Sequence, residues 1–121
     1  MQGATYEKLS PTEGAQNNCT NPSNNFDGLY CLSKDYYHLD EQLNATYQAL
    51  SRALPAEARA TLTQTQRAWI QKRNGQCSTS DYGGFYIDMQ CAVRTTQTRL
   101  DFLKARLREC QNGRCRADKL Q

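Results

Sequence analysis

The chain has little of what most often announces a function. It carries one histidine, one tryptophan and two methionines among 121 residues, and only 38% of it is apolar. No apolar run approaches the roughly 20 residues that a bilayer-crossing helix needs, so no transmembrane segment is expected. His38 is alone, and no CxxC pair occurs, which removes the sequence basis for a zinc site, for dithiol redox chemistry and for a histidine paired with a nucleophile. Asp40 and Glu41 are the nearest thing to a carboxylate pair. As neighbours on a helix they diverge around its axis and cannot face each other as glycosidase carboxylates do. The basic positions Lys104, Arg106, Arg108, Arg114, Arg116 and Lys119 have no interleaved aromatics on which bases would stack, so nucleic acid is not an expected partner. Neither a catalytic residue nor a metal or other cofactor is expected. The opening Met1-Gln2-Gly3-Ala4 lacks the charged and hydrophobic regions of a signal peptide, and is read as the start of a mature form whose leader has been removed.

What is present is sulfur. Cys19, Cys31, Cys77, Cys91, Cys110 and Cys115 form an even set, and reducing compartments do not maintain bridges, so the chain is expected to be periplasmic or secreted. At 13.8 kDa it is one domain, and a mean hydropathy of -0.84 leaves a modest core that cross-links would supplement. Net charge is +3, divided unevenly: about -3 over residues 1–60 and about +6 over residues 61–121. That division reads first as complementary faces within a helical hairpin. The competing reading is a steering patch for an acidic partner or an anionic envelope surface.

Residues 1–22 are polar, contain Pro11, Gly14 and Pro22, and show no apolar period; they are expected to form a loose N-terminal arm tethered at Cys19. Ser23 suits a helix N-cap. From there Leu29, Leu32, Tyr36, Leu39, Leu43, Tyr47, Leu50 and Leu54 recur in steps of three and four, one face of a long helix. Pro55 stops that helix and suits the start of the next. The second helix is expected over 55–74, with Ala58, Leu62, Thr65, Trp69 and the stem of Lys72 facing inward and Gly75 as its stop. Residues 76–84, rich in Ser, Thr, Asp and Gly, are expected to form a loop. Met89, Val93, Leu100, Leu103, Leu107 and Cys110 then mark a third helix that ends near Gly113. The fold class is all-α: an antiparallel three-helix bundle stapled by disulfides, spanning 23–113, with residues 114–121 as a basic tail.

In an up-down-up bundle Cys31, Cys77 and Cys91 gather at one pole with Cys19 nearby, while Cys110 and Cys115 flank Gln111-Asn112-Gly113-Arg114 at the other. The preferred pairing is Cys19 with Cys31, Cys77 with Cys91 and Cys110 with Cys115. An exchange among the first four stays open, because Cys31 and Cys77 also occupy facing helix ends.

One constellation is more specific. Leu43-Asn44-Ala45-Thr46-Tyr47 on the first helix is followed by Gln66-Arg67-Ala68-Trp69-Ile70-Gln71-Lys72-Arg73 on the second. Cys77, the pair Gly83-Gly84, Cys91 and the run Thr95 to Arg99 come next. In this order the residues resemble the bacterial LprI-like lysozyme-inhibitor family over roughly Cys19 to Leu107, with Leu43, Asn44, Tyr47, Gln66, Trp69 and Arg73 as the motif positions. Asn74 stands where that family usually has Asp, and the pair Cys110 and Cys115 is extra. The resemblance implies a helical envelope protein, periplasmic or lipid-anchored, of a family for which lysozyme inhibition has been proposed. The partner it implies is a lysozyme or another wall hydrolase. The start of the chain shows no lipobox cysteine to support an anchor. Lysozymes are mostly basic enzymes with an acidic cleft, so a chain at +3 gains no general steering toward one and needs a local device.

Two aromatic clusters are candidates for that device. Trp69 with Tyr47 and Arg73 falls on the inner stripe of the second helix and reads as core, with Arg73 able to reach Asp40. Tyr82, Phe85 and Tyr86 lie in a segment held at both ends by Cys77 and Cys91, and such a segment presents side chains to a partner at low entropic cost. The competing reading of those three rings is a cap on the bundle pole. Taken together, the sequence predicts a non-enzymatic exported binding protein, and the resemblance implies that it acts by occluding a lysozyme or related wall-cleaving enzyme. The alternative is an envelope structural or stress protein that holds peptidoglycan or another anionic polymer through its basic third helix and tail.

Overall fold

The structure, a computed structural model, describes Cys19, residues 25–81 and residues 83–120. The expected arm lies outside these residues except for Cys19, as do Ser23 and Tyr82. Three helices carry the fold: α1 (Asn25–Ala53), α2 (Ala56–Gln76) and α3 (Met89–Gln111), with a hairpin of β1 (Ser78–Asp81) and β2 (Gly84–Ile87) between the last two and a 3-10 turn at Ala117–Lys119. Asp40 of α1, Arg73 of α2 and Thr96 of α3 meet at one level, while toward the other pole Cys115, bridged to Cys110 in the last turn of α3, lies 3.6 Å from the Ala53 carbonyl at the end of α1, so the bundle runs up, down and up. The parallel helices α1 and α3 approach each other most closely.

The core follows the apolar period of α1 and α3. Leu43, Leu50, Leu54, Leu62, Leu100 and Leu103 are almost wholly buried in one cluster, with Leu39, Tyr47, Trp69, Phe102 and Leu107 packed partly against it. Burying each leucine contributes about 1.5 to 3 kcal/mol. The α1 stripe starts one residue later than its spacing predicts, because Tyr30 is buried while Leu29 is exposed. Pro55 occupies the N-cap of α2 rather than its first turn, so the helix starts one residue later than expected. Proline cannot cap with a side chain, and Arg59 ties the junction instead: its Nε donates to the Ser51 carbonyl at 2.8 Å and its Nη2 to the Leu54 carbonyl at 3.0 Å. Two carbonyls that the end of α1 leaves without helical partners are thereby satisfied.

Helix α2 departs from its expected inner face. Ala58, Leu62, Gln66 and Arg73 are buried, whereas Thr65 is only partly so and Lys72 is exposed. The stripe runs 58-62-66-69-73, and its polar members find partners across the bundle. Gly75 does not stop the helix, which continues to Gln76 with the Cys77 N–H donating to the Arg73 carbonyl.

The expected loop is an antiparallel hairpin in which Ser78 faces Ile87, Thr79 faces Tyr86, Ser80 faces Phe85 and Asp81 faces Gly84. Gly84 takes φ +126°, which a side chain rarely tolerates, so the second glycine of the pair is needed at the turn. Covalent and polar ties fasten the hairpin base. Cys77 is bonded to Cys91, the Asp88 N–H donates to the Cys77 carbonyl at 2.7 Å, and Asp88 Oδ1 caps α3 by accepting from the Cys91 N–H at 3.0 Å. The other bridges are Cys19–Cys31 and Cys110–Cys115.

Helix α3 ends in a Schellman motif: Gly113, at φ +82°, donates to the Cys110 carbonyl and Arg114 to the Glu109 carbonyl. The chain then returns across the pole. Cys115 packs against the core, and Leu120 enters it at 1% exposure beside the cluster of Leu50, Leu54 and Leu103. Arg106 grips the Glu109 carboxylate with two hydrogen bonds of 2.8 Å, and that contact holds the carboxyl below its usual range. Leu120→Ala, which removes an almost wholly buried side chain, is expected to lower stability by about 2 kcal/mol or more. Urea unfolding followed by circular dichroism measures it, and a loss below a few tenths of a kcal/mol would place Leu120 outside the core.

Candidate functional site

The exposed apolar surface is concentrated on the hairpin. Phe85, Tyr86 and Ile87 are 66%, 52% and 42% exposed, in a segment clamped by Cys77–Cys91. Side chains alternate across a strand, so Phe85 and Ile87 share the face turned to the bundle and Tyr86 takes the other. Beneath the inner face lies a cavity of 260 Å³ lined by Phe85, Ile87, Met89 and Ala92 on its apolar side and by Tyr36, Arg73, Asn74 and Ser78 on its polar side.

Arg73 is the charged group of that lining among the described residues and is 8% exposed. Its Nη1 donates to Thr96 Oγ1 at 3.3 Å and lies 3.5 Å from Asp40 Oδ1, while its Nε donates to Asn74 Oδ1 at 3.3 Å. The guanidinium carbon sits over the rings of Tyr36 at 5.4 Å and Trp69 at 5.0 Å. Burial pushes the Tyr36 hydroxyl above its ordinary value, and the opposing effect of Arg73 offsets this only in part.

Behind Arg73 the same pattern continues. Trp69 also lies under Arg99 at 5.8 Å, Arg99 over Phe102 at 4.7 Å and Arg106 over Phe102 at 5.1 Å. Arg99 is 6% exposed and donates from Nε to Gln66 Oε1 at 2.8 Å, and burial lowers its pKa. Arginines and rings thus alternate from Tyr36 to Arg106, threading all three helices.

Of the motif residues, Leu43 is buried, Asn44 is exposed, and the Tyr47 hydroxyl is hydrogen-bonded to Thr63 Oγ1 at 3.1 Å. Gln66, Trp69 and Arg73 come together around Arg99 and Thr96. Of the three candidate contact residues, Phe85 and Tyr86 share β2 and Tyr82 lies outside the described residues. His38 is exposed, 3.8 Å from Glu41, and away from the cavity.

The family described as lysozyme inhibitor LprI matches residues 15–103, the segment that holds the two longer bridges, the hairpin and the arginine-ring ladder except Arg106. The chain belongs to the LprI family. Its matched segment stops before the Cys110–Cys115 loop and Leu120, which lie beyond residue 103. An uncharacterized protein of Rhizobium meliloti (strain 1021) is similar to it at 28% identity over 113 residues, covering 78% of this chain and 81% of that one. No solved structure matches. Among the described residues no helix is long and apolar enough to cross a membrane.

Four features of the site escape the helical apolar period. Ile87, Asn74 and Ser78 of the cavity, and the burial of Arg99, follow from the hairpin folding over the pole and from the rotated face of α2. The Thr95 to Arg99 run is the one sequence signal that pointed toward Arg99.

Proposed function

We propose that this LprI-family protein is an exported, non-enzymatic binding module of the cell envelope that inhibits a lysozyme or a related wall-cleaving enzyme by stoichiometric occlusion. The observation that carries this reading is the hairpin. Three consecutive large apolar residues stand exposed on a strand whose base is locked by a disulfide, a backbone hydrogen bond and a helix cap. Such a segment loses little conformational freedom on docking, which is how preorganised contact loops gain affinity. Exposed rings with Thr79 and Ser80 opposite them in the ladder also fit the anatomy of a contact surface, with aromatics central and polar groups around them. The three bridges and the family support export.

Binding of peptidoglycan through a basic tail has less support. Arg106 is engaged by Glu109 and Arg116 by Asp118 at 2.9 Å, so two of the six basic positions toward the C-terminus already hold internal partners.

Titration of lysozymes of several types with the protein is expected to give a one-to-one loss of activity against at least one of them. Phe85→Ala combined with Tyr86→Ala is expected to weaken that inhibition tenfold or more and to change stability by less than about 0.5 kcal/mol, because both side chains are exposed. Undiminished inhibition by the double variant would remove the hairpin from the contact. Salt-sensitive co-sedimentation with wall material, without inhibition of any enzyme, would favour the polymer-binding reading.

A further inference from the structure

We infer that the cavity beneath the hairpin is a binding site for the C-terminal end of a peptide, whose carboxylate meets Arg73 while an apolar last side chain packs against Phe85, Ile87 and Met89. This deepens the reading of the hairpin as a contact surface and rests on it in one respect, that the inner face of β2 is free in the unbound protein.

Three observations converge. The first is charge. Arg73 is the charged residue among the described lining, and its one acidic neighbour, Asp40, is not part of that lining. Nη1 is committed to Thr96 and Asp40 and Nε to Asn74, whereas Nη2 has no hydrogen-bond partner among the described residues. A cation held by ring faces in a largely apolar hollow favours an anion far more than one in open water, and a carboxylate is the planar acceptor that a guanidinium suits. The second is size. The 260 Å³ hollow is on the scale of one capped amino-acid residue and too small for a folded partner's side-chain cluster.

The third observation separates a peptide end from a plain fatty acid. Because the Asp88 N–H donates to the Cys77 carbonyl, Ser78–Ile87 and Ser80–Phe85 are the non-bonded pairs of the ladder. The N–H and C=O groups of Phe85 and Ile87 therefore face outward from the hairpin, on the residues whose side chains line the cavity. An extended peptide can add to that edge with its own backbone, as strand-addition domains do, and an acyl chain cannot.

Trp69 is the sole tryptophan and lies 5.0 Å from the Arg73 guanidinium, so its emission reports on the cavity floor. The experiment titrates the full chain, oxidised, with N-acetylleucine, N-acetylleucine amide and octanoate. Emission of Trp69 and the NMR shifts of its indole N–H and of the Phe85 and Ile87 amides are both recorded. N-acetylleucine is expected to give a saturable change in these signals, and the amide and octanoate to bind at least tenfold more weakly. Ile87→Glu, at an exposed position that the fold tolerates, is expected to weaken N-acetylleucine binding at least tenfold with the melting curve unchanged. Equal binding of acid and amide, or no saturable shift by either readout, would overturn the site. Equal binding of octanoate would overturn its assignment to a peptide end. The titration contains no wall hydrolase, so a failure here and a failure of lysozyme inhibition are separate results.

Discussion

Reduction of all three bridges is expected to lower the stability of the folded chain by about 8 kcal/mol and so leave it largely unfolded at room temperature. In the chain-entropy account, bridges closing separations of 12 and 14 residues contribute about 3 kcal/mol each and the short one, closing 5, about 2 kcal/mol. A domain of this size has a total stability of roughly 5 to 15 kcal/mol, and the small apolar share of the chain places it toward the low end. Urea unfolding followed at 222 nm, with and without a phosphine reductant, measures the difference. A reduced protein with an unchanged midpoint would show that the helices hold themselves without sulfur. The bridges also divide by task. Replacing Cys77 and Cys91 together by serine removes the covalent clamp from the hairpin while the leucine cluster stays in place, so inhibition and stability would fall by different amounts. Loss of the Cys110–Cys115 bridge releases the return of the chain that seats Leu120.

The helices are legible in the sequence because burial in α1 and α3 repeats at the period of the helix itself: Leu43, Leu50 and Leu54 on one, Leu100 and Leu103 on the other, are both the apolar letters and the buried residues. The short crossing at Pro55 is legible for the same reason that proline is informative everywhere, its fixed φ and missing donor. The hairpin is not. Ser78-Thr79-Ser80-Asp81 has no apolar alternation, and β2 is exposed on all four residues, so pairing is decided by the bridge at its base and by Gly84 rather than by a buried face. The inward face of α2 is hidden for a related reason. Gln66 and Arg73 are polar letters that become interior only because Arg99 and Thr96 are there to meet them, and no periodicity of one helix contains that information. Leu120 is a single apolar residue in a basic segment, and a lone leucine has no period. Of the candidate contact residues, the exposure of Phe85 and Tyr86 needed the hairpin's register to be known.

Trp69→Ala is expected to cost about 3 to 5 kcal/mol, more than its partial burial alone would suggest. Trp69 separates two nearly buried arginines, with Arg73 at 5.0 Å over its ring and Arg99 at 5.8 Å. Nη2 of Arg99 is buried with no hydrogen-bond partner among the described residues, so the ring faces of Trp69 and Phe102 take much of the place of water around that cation. Each such contact contributes about 0.5 to 2 kcal/mol, rising with desolvation. Removing the indole leaves a cavity and, at the same time, strips one face from each guanidinium. A comparison of replacements isolates the second effect: Trp69→Phe keeps a ring between the arginines, whereas Trp69→Leu keeps apolar volume without one. Phenylalanine is expected to be more stable than leucine by at least about 1 kcal/mol, twice the lower bound of a single contact because two cations share the ring. Because the fluorophore is lost in every variant, circular dichroism must follow the unfolding. Equal stabilities for the two variants would mean that Trp69 acts as bulk alone, and that the two arginines are held by Gln66, Thr96 and Asp40 without help from the ring.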